Sequence, residues 1–77
     1  MTYKYDREAD AIYITLAKAP YAYGKDLGAE RRVDFAADGT PIGVEITCVS
    51  AGVEVEDLPR SAEIAKLLGR LNIKVYA

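Results

Sequence analysis

Residues 5–16 read YDREADAIYITL, and the way this stretch divides decides the fold. Side chains of an extended chain point alternately to its two faces. Ile12, Ile14 and Leu16 therefore share one face and Ala11, Tyr13 and Thr15 the other, the pattern of a strand buried on one side. The five residues before it, Asp6-Arg7-Glu8-Ala9-Asp10, break the alternation. An aspartate in such a place accepts a hydrogen bond from an amide two or three residues on, which closes DREAD into one tight helical turn. Thr2–Tyr5 before the turn alternates as well, with Tyr3 and Tyr5 on one face and Thr2 and Lys4 on the other, so the two segments pair as a hairpin. The competing reading of Asp6, Glu8 and Asp10 is a calcium loop. Such a loop needs a sharp-turning glycine next and a bidentate acid later, and here Ala11 and Ile12 follow, so turn chemistry is preferred.

Downstream, Pro20, Gly24 and Gly28 interrupt AKAPYAYGKDLGAE and mark loops around a short irregular strand at Tyr21–Lys25. Arg32–Phe35 resumes alternation, with Val33 and Phe35 inward and Arg32 and Asp34 outward. Asp38-Gly39 between two alternating segments is a hairpin signal, because glycine accepts the positive φ such turns require. Pro41 suits the first residue of the return strand, where it removes no ladder bond. That strand, Ile42–Cys48, places Ile42, Val44, Ile46 and Cys48 on one side and Gly43, Glu45 and Thr47 on the other. SAGVEVED, residues 50–57, is a connection with a weak alternating piece at Val53 and Val55. Pro59 reads as part of a first helical turn, where a missing amide is harmless. Ile64, Leu67, Leu68 and Leu71 stand at i, i+3, i+4 and i+7, one apolar stripe of a helix with Glu63, Lys66 and Arg70 on its wet side. Gly69 leaves two ends open, Leu68 or Leu71, and the stripe favours the longer helix. Ile73–Tyr76 reads as a last short strand, free to pair with a sheet edge in its own chain or in a neighbour.

These elements make an α+β fold in one domain, residues 1–77: an antiparallel β-meander of four to five short strands, covered on one face by a single C-terminal amphipathic helix, with a final short strand. The predicted core is Ile12, Ile14, Leu16, Val33, Phe35, Ile42, Val44 and Ile46.

Size and charge bound the function. At 77 residues a single core is marginal, and association of copies is a common remedy, so a homo-oligomer, in the first instance a dimer, is expected. With 51% hydrophobic and 29% charged residues the chain has the composition of a globular protein rather than a disordered tail. A net charge of −2 supplies no basic footprint for nucleic acid and no basic amphipathic segment for a membrane surface. No apolar run reaches bilayer length, and MTYKYD lacks the apolar region of a signal peptide, so the cytoplasm is the expected compartment. Cys48 is the sole cysteine and histidine is absent. An intrachain disulfide and a cluster of cysteine metal ligands are therefore excluded, as is any Ser-His or Cys-His nucleophile pair. No cofactor or metal site is expected.

The motif Y-D-x-E-A-D-A-I-Y-I (Tyr5–Ile14) is followed by V-D (Val33, Asp34), by D-G (Asp38, Gly39) and by G-V-E-I (Gly43–Ile46). In that order the motifs resemble the bacterial domain-of-unknown-function family 2283 over about the first two-thirds of the chain. Val44 stands where the family commonly has isoleucine. The resemblance implies a small stand-alone bacterial protein without an established activity, some members being encoded beside toxin-like partners. It carries no catalytic residues.

Among the chain's own residues, Asp34 and Glu45 lie outward on strands joined by the Asp-Gly turn and could approach as an acid-base pair. The plainer reading pairs each with Arg31, Arg32 or Lys4 on a wet sheet face, and it is preferred. Tyrosines are apolar along the ring and polar at the tip, which suits interfaces. Tyr13, Tyr21, Tyr23 and Tyr76, with Ile73 and Val75 of the last strand, are the interface candidates. Cys48 reads as a small buried hydrophobe. The sequence thus favours a non-catalytic protein-interaction or regulatory module, with a small carboxylate-dependent hydrolase or isomerase, or a small-ligand binder, as the alternatives.

Overall fold

A computed structural model describes residues 1–76. The chain is α+β, in the order β1 (Thr2–Asp6), β2 (Ala11–Thr15), β3 (Tyr23–Asp26), β4 (Arg31–Phe35), β5 (Pro41–Thr47), β6 (Val53–Glu54), α1 (Ser61–Arg70) and β7 (Val75–Tyr76). It divides into two compact units, Met1–Thr47 and Cys48–Ala77.

The first unit is a five-stranded antiparallel sheet in the order β1-β2-β5-β4-β3. It is not a continuous meander. β3, β4 and β5 follow one another, but the β1–β2 hairpin adds to the far side of β5, so the β2–β3 connection spans the sheet. The DREAD turn forms as its chemistry dictates: the Ala9 amide donates to Asp6 Oδ1 at 3.0 Å, and Asp10 closes the turn at φ 53°. An aspartate tolerates that left-handed geometry where most residues do not. The Asp-Gly turn forms too, with Gly39 at φ 88° and the Thr40 amide donating to Asp38 Oδ1 at 2.9 Å. That bond holds the Asp38 carboxyl below its usual range.

Alternation places the core as expected. Ile12, Ile14, Val33, Val44 and Ile46 are at most 2% exposed, and Leu16 and Ile42 are buried. Each aliphatic side chain buried in this way stabilises the sheet by about 1.5–3 kcal/mol relative to exposure. Two positions depart from the pattern. Phe35 is only half-buried: the register shifts between Asp34 and Phe35, and the ring stacks on that of Tyr23, its ladder partner in β3, with centroids 5.1 Å apart. Cys48 is exposed rather than buried: the strand ends at Thr47, and Cys48 leaves it at φ 54° to start a short 3₁₀ turn, Val49–Ala51.

In the second unit Val53, Val55, Leu58, Ile64, Leu67, Leu68 and Ile73 are buried. Pro59 precedes the helix instead of lying in its first turn; Arg60, at φ 52°, is the N-cap and chelates Glu63 through Nε at 2.9 Å and Nη2 at 2.6 Å. The helix runs on through Gly69 to Arg70 and closes at Leu71. Asn72 takes the left-handed position at φ 60°, its amide donating to Gly69 O at 3.1 Å while that of Ile73 donates to Leu68 O at 2.9 Å. Those two bonds are a Schellman closure with asparagine in the usual glycine place. The last strand pairs within its own chain, not with the five-stranded sheet but with β6: β7 lies parallel to it, Val53 opposite Val75 and Glu54 opposite Tyr76. No helix among the described residues is long and apolar enough to cross a membrane.

Candidate functional site

The polar face of the large sheet carries the residues with chemistry. Directly opposed residues of antiparallel strands share a face, and the register sets out two rungs. One runs Lys4, Tyr13, Glu45, Arg32, Asp26; the next runs Thr2, Thr15, Gly43, Asp34, Gly24. The first rung holds the long side chains and the second holds two glycines, so the long side chains lean across onto the gaps. A Cβ on Gly43 would stand 2.5 Å from Tyr13 Cζ and nearer still to its hydroxyl. A Cβ on Gly24 would stand 2.5 Å from Arg32 Cζ and 2.6 Å from its Nε. Neither glycine has a positive φ, so both are required for room and not for backbone freedom.

The two leaning groups converge on Asp34. The Tyr13 hydroxyl donates to Asp34 Oδ2 at 2.9 Å, and Arg32 Nε stands 3.4 Å from Oδ1. Arg32 extends further, donating from Nη1 to Asp26 Oδ1 at 3.0 Å and from Nη2 to the Tyr21 hydroxyl at 3.1 Å. Its guanidinium is held more firmly protonated than usual, first by Tyr21 and then by Asp26. Burial pushes the Tyr13 phenol up to about 12, with further contributions from its bond to Asp34 and from the charges of Asp34 and Glu45. Tyr13 is therefore a phenol at neutral pH, a donor and not a base.

The structure thus connects Asp34 to Arg32 and Tyr13 through the contacts above. Glu45 is exposed and stands opposite Arg32 and Tyr13 in the ladder, whereas Asp34 stands opposite Gly43. Beside them, Asp26, Glu30, Arg31, Arg32, Glu45 and Thr47 line an open cleft of about 170 Å³.

The tyrosines fall into different settings. Tyr21 is 57% exposed and accepts from Arg32; Tyr23 is 48% exposed and stacked on Phe35. Tyr76 lies over Gly52 and donates to Ala51 O at 3.1 Å, with Lys74 Nζ 5.2 Å from its ring centroid. Val75 is half-buried in the β6–β7 pair, and Ile73 is buried at 7% exposure, presenting little to a partner. Sequence reasoning passed over Gly43 and Gly24. The available signal was the glycine inside each strand, which marks close approach of another group as often as a weak point.

The family model described as "Protein of unknown function (DUF2283)" matches residues 2–50, which takes in every residue of this network. The chain belongs to that family. The matched segment runs from β1 into the 3₁₀ turn, so the family's shared part coincides closely with the five-stranded unit. No curated protein and no solved structure matches the chain.

Proposed function

We propose that this member of the family is a non-catalytic protein-interaction module of the cytoplasm that works as a homo-oligomer, in the first instance a dimer, through an open edge of its sheet. The observation that carries the reading is β1. It is the outermost strand on its side, with Thr2, Tyr3, Lys4 and Asp6 all exposed and no proline or glycine to blunt it. An edge of this kind presents unpaired amides and carbonyls that another strand satisfies. The opposite edge, β3, is four residues long, is interrupted by Gly24 and has Arg32 laid across it.

The polar-face network supports the same reading. Asp34 is committed to Tyr13 and Arg32, and the tyrosine bonded to it is a poor base, which leaves a rigid support rather than an acid-base pair. A toxin-like partner of the kind some family members neighbour is the heterologous occupant of the same edge. Light scattering on eluting protein over a concentration series tests the oligomer: a dimer mass is expected, unchanged in Asp34→Asn/Glu45→Gln, and a monomer at every concentration removes the reading.

A further inference from the structure

The direction of the backbone groups along β1 follows from bonds further into the sheet. The Leu16 amide donates to Ile42 O at 2.9 Å and the Thr47 amide to Glu30 O at 2.8 Å. In an antiparallel sheet each residue directs both its amide and its carbonyl to one neighbouring strand, alternating along the chain. Even-numbered residues of β2 therefore address β5 and odd-numbered ones address β1. Through the register Thr2–Thr15, Lys4–Tyr13 and Asp6–Ala11, the even residues of β1 are satisfied inside the sheet. The outward groups of the edge are those of Tyr3 and Tyr5.

We infer that β1 pairs antiparallel with β1 of a second copy about a two-fold axis at Tyr5, so that Tyr5 faces Tyr5 and each Lys4 faces the other copy's Asp6. The inference rests on the oligomer reading above and adds the surface and its register. Outward groups meet only where odd-numbered residues oppose one another, which leaves three symmetric registers centred on the inner residues of the strand, Tyr3, Lys4 or Tyr5. Centring on Lys4 sets two lysines directly opposite each other, a repulsive arrangement. Centring on Tyr3 opposes Thr2 to Lys4 and forms no ion pair. Centring on Tyr5 forms two Lys4–Asp6 pairs at the non-hydrogen-bonded positions, where opposed side chains lie closest. Asp6 Oδ1 takes the Ala9 amide, and Asp6 lies on the same face of β1 as Lys4, the face on which Lys4 of the other copy stands opposite it. At the ends of this register Tyr3 stands opposite Arg7, which is already in the turn with its carbonyl taking the Asp10 amide at 3.3 Å, so the contact there falls to the Arg7 guanidinium, whose carbon stands 5.1 Å from the centroid of the Tyr5 ring and is suited to a second aromatic face. Two five-stranded sheets joined in this way form one continuous sheet without either β1 edge.

Single cysteines placed in a Cys48→Ser background test the register, that background being needed because Cys48 is exposed. Opposed residues in a hydrogen-bonded pair have Cα atoms about 5.5 Å apart, within disulfide reach. Tyr5→Cys is expected to run mainly as a disulfide dimer after mild oxidation, and Tyr3→Cys and Lys4→Cys several-fold less. Lys4→Asp turns both ion pairs into repulsion and is expected to raise the dimer Kd roughly tenfold. Without any substitution, exchange of the Tyr5 amide is expected to slow as concentration rises, while that of Lys4, bonded to β2, does not change. Stronger crosslinking at Tyr3 or Lys4 overturns the register. A dimer by mass with no crosslink at any of the three and no protection at Tyr5 overturns this edge while leaving the oligomer standing, and a strict monomer overturns both.

Discussion

Replacing Gly43 with alanine probes the polar face at the point where one methyl group has nowhere to go. The new Cβ would lie 2.5 Å from Tyr13 Cζ, inside any tolerable carbon contact, in a strand paired on both sides. The ring is the softer element, so it swings off the strand and the bond from its hydroxyl to Asp34 is lost. A hydrogen bond to a charged group contributes about 1.5–3 kcal/mol. Losing part of the ring's burial adds about 1 kcal/mol, while alanine in place of glycine within a strand returns about 0.5–1 kcal/mol. The net destabilisation is about 2 kcal/mol, which for a domain of this size lowers Tm by about 10 °C. Urea denaturation gives the free energy, and absorbance titration of the tyrosines gives a second readout, since the Tyr13 phenol returns from about 12 toward the ordinary value once it loses its burial and its bond to Asp34. The deciding measurement is the cycle with Tyr13→Ala. With the ring gone, Gly43→Ala should become neutral or stabilising by about 0.5 kcal/mol. In Tyr13→Phe, which keeps the ring and drops the hydroxyl, it should still destabilise. If Gly43→Ala costs the same with and without the Tyr13 ring, or leaves the phenol near 12, the packing argument is wrong.

Three further outcomes follow from the same structure. The Tyr13 pKa is raised from 10.0 to about 12, so the folded state binds more protons between those values than the unfolded chain. Stability is therefore fully present below pH 10 and falls by about 2 kcal/mol as pH rises toward 12; urea midpoints at high pH should show this slope in the native chain and lose it in Tyr13→Phe. Asn72, at φ 60°, should be improved by glycine and impaired by alanine, by about 1 kcal/mol between the two variants, as read by thermal melting. Leu68→Ala empties a site with no exposure and should destabilise by about 2–5 kcal/mol, whereas Leu71→Ala, half-buried past the helix end, should cost clearly less in the same denaturation assay.

The elements and the buried face were legible because two local signals agreed. Alternation placed Ile12, Ile14, Val44 and Ile46 together, and turn chemistry at Asp6 and Asp38-Gly39 fixed where the strands reverse. The four-residue spacing from Ile64 to Leu68, extended to Leu71, likewise carried the helix through Gly69. Strand order was not legible, because nothing in a strand's own pattern says on which side of β5 the first hairpin settles. Phe35 and Cys48 misled for a local reason: a register shift and a left-handed residue each end alternation without changing composition. Pro59 fits a helix start equally well one turn early. The polar face was read as charge pairs, and Asp34 does meet Arg32, but the bond from Tyr13 to Asp34 crosses β5 diagonally and was not foreseen. That diagonal exists only because Gly43 and Gly24 have no side chain, and a missing group leaves no positive mark in a sequence.

The parallel contact between β6 and β7 bears on the order in which the second unit assembles. Val53 and Val75 are partners across 22 intervening steps of chain, with the whole of α1 between them. A hairpin such as β1–β2 closes over a few residues, but this pair must wait until the helix has formed and Asn72 has turned the chain back. Held by amide bonds from Val53 to Lys74 at 2.9 Å and from Val55 to Tyr76 at 3.4 Å, it is expected to form last in its unit and to open first. Proteases and solvent deuterium should accordingly reach the β6–β7 pair well before the five-stranded sheet.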